Sequence, residues 1–255
     1  NVHLSISLRI LGLLLSLFSL TMIPPLLLAV LADDDTVSGF TYAFGITLLA
    51  GLTLWLPVRR IRRELRIRDG FLITALFWSV LGIFGSLPFA LTKSLGVDVP
   101  DAVFESVSGL TTTGATVLTG LDTLPQSILL YRQLLQWLGG IGIIVVAVAV
   151  LPMLGIGGMQ LYRAETPGPT KDSKLTPRIT ETAKALFTVY LAMTVLCACA
   201  YAAAGMSSFD AVCHAFSTVA IGGFSTHDAS MGYFQSNAVY LISTLFMLLA
   251  ALNIG

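Results

Sequence analysis

Charge is scarce in this sequence: Asp, Glu, Lys and Arg make up 11% of its 255 residues, against about 25% in an ordinary soluble domain. With 55% hydrophobic residues and a mean hydropathy of +0.86, the chain cannot present a normal water-facing surface, which excludes a soluble globular domain and points to a bilayer. The 14 basic and 14 acidic residues cancel, so no basic excess is left to attract nucleic acid. Cysteine is rare too. Cys197, Cys199 and Cys213 show no C-x-x-C spacing and read as small packing residues. The three histidines do not cluster with carboxylates, so neither a metal site nor a nucleophile is supported and no enzymatic chemistry is expected; His214 reads as a packed or water-satisfied side chain.

What is present is a series of long uncharged runs, at residues 10–32, 37–58, 70–92, 133–162, 185–209 and 229–255. Each reaches the roughly 20 residues that cross a hydrocarbon core as a helix, so six spans are expected. The first run is too long for a signal-peptide core and lacks a small-residue cleavage site, so it is read as a retained helix. Charge sets the orientation. Arg9, then Arg59, Arg60, Arg62, Arg63, Arg66 and Arg68, then Arg163, Lys171, Lys174, Arg178 and Lys184 put twelve of the 14 basic residues on one side. Asp33, Asp34, Asp35, Asp98, Asp101, Asp122, Asp210 and Asp228 fall on the other, so the N-terminus and the basic loops are expected to be cytoplasmic. The arginines of 59–68 abut a span end and serve as a topological anchor.

The pattern divides the chain. Residues 1–69 read as a two-helix hairpin with its basic loop, Pro24-Pro25 kinking the first helix. Residues 70–158 then read as span, short apolar segment, glycine loop, span, and residues 184–255 repeat that order. Residues 159–183 between them, with the turn signal Pro167-Gly168-Pro169, are a cytoplasmic linker or a docking surface for a soluble partner. Setting Gly114 on Gly223 also brings Asp101-Ala102-Val103 onto Asp210-Ala211-Val212 and Ser108 onto Ser217 without a gap. Internal repeats in membrane transport proteins place the path for the solute on the axis that relates them.

The segment Asp101 to Thr111 would make a helix of about 16 Å, half of a roughly 30 Å core, so it cannot span. It starts at Pro100-Asp101, a helix-start signal, and runs into Thr112-Thr113-Gly114-Ala115-Thr116. Asp210 to Ala220 runs in the same way into Ile221-Gly222-Gly223-Phe224-Ser225. A half-helix dipping in from outside, followed by a loop climbing back, is the expected structure. Loop backbone at membrane depth survives only where protein or a watery path satisfies it, so the loops themselves argue for a pore. Neither loop carries a charged side chain, which suits coordination of a cation by backbone carbonyls, and the glycines supply φ > 0 where carbonyls must turn alike. Thr112 and Thr113 add hydroxyl oxygens.

Thr111-Thr112-Thr113-Gly114-Ala115 and Ala220-Ile221-Gly222-Gly223-Phe224-Ser225 resemble the first two filter loops of the Trk/Ktr/HKT superfamily of potassium transporters, and most of all its bacterial TrkH-type subgroup. The runs Arg132-Gln133-Leu134-Leu135-Gln136-Trp137 and Gly157-Gly158-Met159-Gln160-Leu161-Tyr162-Arg163-Ala164-Glu165 are similar to that subgroup as well, and the likeness covers nearly the whole chain. The resemblance implies an all-α polytopic protein of the bacterial inner membrane, with a two-helix hairpin ahead of helix, pore-loop, helix repeats as in potassium channels. It implies potassium uptake without an organic cofactor. One quarter of the K+-binding filter would come from Thr111, Thr112, Thr113 and Gly114, and another from Ala220, Ile221, Gly222 and Gly223. A homodimer in membrane lipid, regulated by a cytoplasmic nucleotide-binding ring of TrkA type, is implied too. The family has four repeats; this chain has two and reaches Asn253-Ile254-Gly255 within an apolar run, so two further repeats are expected beyond it.

Other features keep two readings. Gly139-Gly140-Ile141-Gly142 permits close helix packing or forms a pore-side hinge, and Gly155, Gly157 and Gly158 end that helix. Glu105 either hydrogen-bonds the filter backbone from behind or faces water near the outer mouth. Asp122 and Asp228 are solvated loop acids or make the outer vestibule attractive to cations. Rival functions are a sodium-permeable or sodium-coupled relative, a secondary transporter built on inverted repeats, and a scaffold. In the superfamily, serine at the first-loop glycine goes with sodium permeation, and here that residue is Gly114; the two repeats also begin on the same side, unlike inverted ones.

Overall fold

The computed structural model describes residues 4–59, 67–149 and 172–254, and among them every regular element is helical. The chain opens with α1 (Leu4–Leu20) and α2 (Ile23–Ala32), separated only at Thr21 and Met22. The break falls just before Pro24 and Pro25, which a helix tolerates in its first turn but not its interior, and tight bonds from Thr21 and Met22 to Phe18 and Ser19 close the step. Together they form one apolar stretch, Ser7–Ala32, that is long enough to span. Next comes α3 (Val37–Trp55), extended by a single turn at Leu56–Val58. It lies against α1 so closely that a Cβ on Gly12 would sit 2.7 Å from the Trp55 nitrogen, and one on Gly51 2.6 Å from the Ser16 nitrogen. Small residues let two backbones meet in a membrane hairpin.

The first repeat contains α4 (Ile67–Gly85), α5 (Leu87–Leu91), α6 (Val99–Leu110) and α7 (Gln126–Ala149). The second contains α8 (Asp172–Ala203), α9 (Ser208–Val219) and α10 (Asn237–Ile254). Thr74–Leu91, Val37–Val58 and Lys184–Ala203 join Ser7–Ala32 as helices long and apolar enough to cross a bilayer, and Asn237–Leu252 is a shorter apolar one. The expected span 133–162 lies partly outside the described residues, as do Gly155, Gly157 and Gly158. Four helices begin earlier than their uncharged runs: α1 at Leu4, α4 at Ile67, α7 at Gln126, taking Arg132 into its body, and α8 at Asp172, twelve residues before Lys184. Large apolar side chains such as Leu31, Leu49, Leu241 and Leu252 point outward, where lipid would replace water as their solvent.

With 12 residues each, α6 and α9 are about 18 Å long, too short to cross a hydrocarbon core of roughly 30 Å. Their amphipathic faces are buried by α7, which packs against both and joins two cores. One core holds Leu15, Phe40, Phe89, Leu110 and Tyr131; the other holds Tyr190, Cys197, Tyr201, Ala215 and Val219. Polar bonds fix α7 at three levels. Ser127 donates to Asp34 (2.9 Å) and meets Thr36 (2.8 Å) at the hairpin, Tyr131 donates to the Gly85 carbonyl (2.9 Å), and Trp137 donates to Thr194 (3.0 Å). The glycines of α7 serve packing: a Cβ on Gly139 would collide with the Leu110 carbonyl, and one on Gly140 with the Tyr190 hydroxyl.

Candidate functional site

Both half-helices end in the same turn. Thr112 N–H donates to the Gly109 carbonyl (3.0 Å) and Thr113 N–H to Ser108 (2.9 Å); 109 residues on, Ile221 donates to Thr218 (3.1 Å) and Gly222 to Ser217 (2.8 Å). These bonds cap the last carbonyls of each helix. Positive φ then alternates with ordinary backbone, at Thr112 (54°) and Gly114 (77°) in one loop and at Ile221 (54°) and Gly223 (87°) in the other. Such alternation turns successive carbonyls toward one side of an extended strand, the arrangement a cation needs to exchange its water for backbone oxygens. Thr112 and Ile221 are β-branched, for which a left-handed conformation is uncommon and costs on the order of 1–3 kcal/mol.

The two loops meet at their glycines. A Cβ on Gly114 would collide with the Gly222 carbonyl oxygen and come within 3.4 Å of Gly223 Cα. Thr111, Thr112, Thr113 and Gly114 are thus brought beside Ala220, Ile221, Gly222 and Gly223. Thr111, Thr113, Ile221 and Gly223 are exposed, while Ala220 and Gly222 are buried. The hydroxyls of Thr111 and Thr113 bond each other (2.7 Å), and Thr111 also donates to the Val107 carbonyl (2.8 Å).

Behind the first loop, Glu105 is fully buried. It accepts from the Thr116 hydroxyl (2.9 Å), the Val117 N–H (3.1 Å) and Arg132 Nε (2.7 Å), while Ser108 donates to the Ala115 carbonyl (2.5 Å). Behind the second, His214 Nε2 bonds Ser225 Oγ (2.9 Å) and Nδ1 bonds the Asp210 carbonyl (2.9 Å). Gln136 Oε1 accepts from the Phe224 N–H (3.1 Å), its amide filling the space a Cβ on Gly222 would take. Arg132, equally buried, reaches both loops: Nη2 donates to Thr116 Oγ1 (3.0 Å) and Nη1 to the Ser225 carbonyl (2.9 Å), with its guanidinium 4.3 Å from the Phe224 ring centroid.

A family model described as "Cation transport protein", TrkH, matches residues 37–254. The chain belongs to the TrkH family. It is 65% identical to the Trk system potassium uptake protein TrkH of Halomonas elongata, over 96% of this chain and 51% of that protein. The protein of the same name from Escherichia coli K12 is 57% identical over 97% of this chain and 51% of its own length. Among solved structures, the potassium transporter TrkH from Vibrio parahaemolyticus superposes with a TM-score of 0.86 at 55% identity, covering 97% of this chain and 49% of that one. The chain spans about half the length of the curated relatives it matches. Its architecture is that of an all-α polytopic membrane protein, and the TrkH family is one of transporters rather than of enzymes.

Within this TrkH-family chain, Glu105 takes the buried one of its two expected placements, and its backbone bond goes to Val117, beyond the glycine rather than at it. His214 is packed and hydrogen-bonded, as its apolar surroundings in sequence suggest. Asp122 does not stand as a free loop acid: it accepts from His227 Nδ1 (2.5 Å), whose ring stacks on Tyr233 at 3.5 Å and whose Nε2 lies 3.3 Å from Asp210. The bond from His227 holds the Asp122 carboxyl below its usual range. Burial pushes Asp210 up, but bonds from Ser207 and Thr226 outweigh it and leave this carboxyl below its usual range too. Sequence reasoning missed Arg132 as a functional neighbour, because its charge marks a span boundary by rule. The one available signal was Glu105, a buried acid in search of a cation.

Proposed function

We propose that this chain contributes half of a potassium uptake protein of the bacterial inner membrane. In this reading Thr111, Thr112, Thr113 and Gly114, with Ala220, Ile221, Gly222 and Gly223, supply two quarters of a filter of backbone carbonyls that binds K+. The observation that carries this reading is the matched backbone: the same left-handed alternation at 112 and 114 and at 221 and 223, in two loops that touch at their glycines. The transported ion is the one named for the relatives, each called a Trk system potassium uptake protein. Residues 1–69 act as a hairpin outside the pore, and 70–158 and 184–255 as two of four repeats around it. The N-terminus and basic loops face the cytoplasm, where a nucleotide-binding ring of TrkA type would dock, and two copies pair in lipid. Gly114, where serine would favour sodium, supports preference for potassium over a sodium-permeable variant.

The test is the sodium-to-potassium permeability ratio of the full-length protein in proteoliposomes. Gly114→Ser should raise it. Gly51→Ala, which crowds α3 against α1 far from the loops, should lower thermal stability without changing the ratio. Equal ratios in wild type and Gly114→Ser would withdraw the filter assignment. For topology, a cysteine at Arg59 should react with impermeant reagent from the cytoplasmic side alone.

A further inference from the structure

The 109-residue shift that matches the loops also matches what stands behind them. Glu105 falls on His214 and Thr116 on Ser225, and in each repeat the half-helix side chain bonds the loop hydroxyl eleven residues on. Arg132 has no such counterpart, for the same shift sets it on Leu241, an exposed apolar residue of α10. The first repeat alone carries a guanidinium, and that guanidinium serves both loops. Its Nε takes the Glu105 carboxylate and its Nη2 the Thr116 hydroxyl, both of the first repeat, while its Nη1 takes the Ser225 carbonyl of the second. Thr116 and Ser225 are equivalent positions, each two residues past the glycine that turns its loop.

We propose that Arg132 is a positioning residue that locks the two loops in mutual register, and so sets the spacing of the carbonyls they present; the proposal rests on the filter reading above. The geometry argues for more than charge neutralisation. A lysine could neutralise Glu105, but its donors radiate from a single nitrogen, whereas the guanidinium spreads its own over a rigid fork that reaches Glu105, Thr116 and Ser225 at once. Full burial strengthens each bond and excludes water that would otherwise let the loops drift. Phe224, next to Gly223, lies against the guanidinium face and limits its rotation. Arg132 and Glu105 are both fully buried and bond Thr116, Val117 and Ser225, so they act through the loops.

The experiment uses the full-length protein in proteoliposomes and reads both the sodium-to-potassium ratio and detergent thermal stability for Arg132→Lys, Thr116→Val and Gly114→Ser. Arg132→Lys keeps the charge and should still raise the ratio, by about tenfold or more, the effect of one charge-assisted hydrogen bond lost. Thr116→Val leaves the charges paired but frees one loop from the fork, and should shift the ratio in the same direction; it decides the question if Arg132→Lys does not fold. A merely structural ion pair predicts lower stability with an unchanged ratio in both, and that result overturns the proposal. Should Gly114→Ser alter the ratio while these two do not, the filter stands and the brace falls; should none of the three alter it, the filter reading falls and takes the brace with it.

Discussion

Behind the first loop stands a carboxylate with a guanidinium; behind the second, an imidazole with a hydroxyl and the amide of Gln136. The backbones in front of them follow the same turn, bond for bond, with left-handed residues at equivalent places. One loop is held by charge and the other by neutral hydrogen bonds, and the charged partner of the first also reaches the second. Backbone shape is therefore the property the repeats share, and the side chains that impose it are free to differ. Two charges taken out of water are costly, and their attraction compensates only with good geometry and further bonds. Thr116 and Val117 of the first repeat and Ser225 of the second supply these.

The sharpest way to break the comparison is at the glycines. A Cβ on Gly114 would occupy the Gly222 carbonyl, whereas one on Gly223 meets nothing nearer than Gly114 Cα at 3.9 Å. Gly114→Ser should therefore cost potassium preference about tenfold or more, with roughly 1.4 kcal/mol per decade. Gly223→Ser should show only the strain of a left-handed L-residue, about 1–2 kcal/mol. Equal permeability changes would mean that the contact between loops does not matter.

Next in size, Arg132→Leu gives the first repeat the residue of the second. It leaves Glu105 buried without its counter-charge, at a cost of about 3–5 kcal/mol in thermal unfolding. Adding Glu105→Gln should recover part of that loss, and no recovery would show that the pair is not the unit. Smaller again is the contrast between clips. Thr116→Val removes hydrogen bonds to charged groups, each worth about 1.5–3 kcal/mol, while Ser225→Ala removes two to neutral partners, the His214 imidazole and the His227 N–H, each worth about 1 kcal/mol. Detergent melting of the two variants should rank them in that order.

The smallest effect concerns the outer contact between the repeats, where His227 bonds Asp122. The folded-state pKa of Asp122 is depressed from 3.8, so its contribution is present above that value and is lost as pH falls through the lower folded one. The thermal midpoints of wild type and Asp122→Asn should differ near neutral pH, draw together as the pH falls from about 3.8, and coincide below the lower folded-state value. A difference that persists in stronger acid would show that the carboxylate charge is not what joins the loops there.

Much was legible from the chain alone. Uncharged runs announce the bilayer, segments of half its thickness ending in glycine announce the re-entrant loops, and a constant shift of 109 announces the repeat, because these depend on residues close together in sequence. Other features were not. Arg132 ended a span by the rule that charge stays out of lipid, yet it sits inside α7, because Glu105, 27 residues away, neutralises it. Thr112 and Ile221 are residue types that argue against the left-handed conformation they adopt.

By composition and spacing, the sequence determined that this chain lives in a membrane, where its half-helices fall and which glycines turn the loops. Tertiary structure alone decided what stands behind each loop and that a single guanidinium joins the two. Patterning is a local property set by the solvent each residue must face. The partner of a buried charge depends on which segments, 27 or 93 residues apart, the packing of α7 brings within 3 Å.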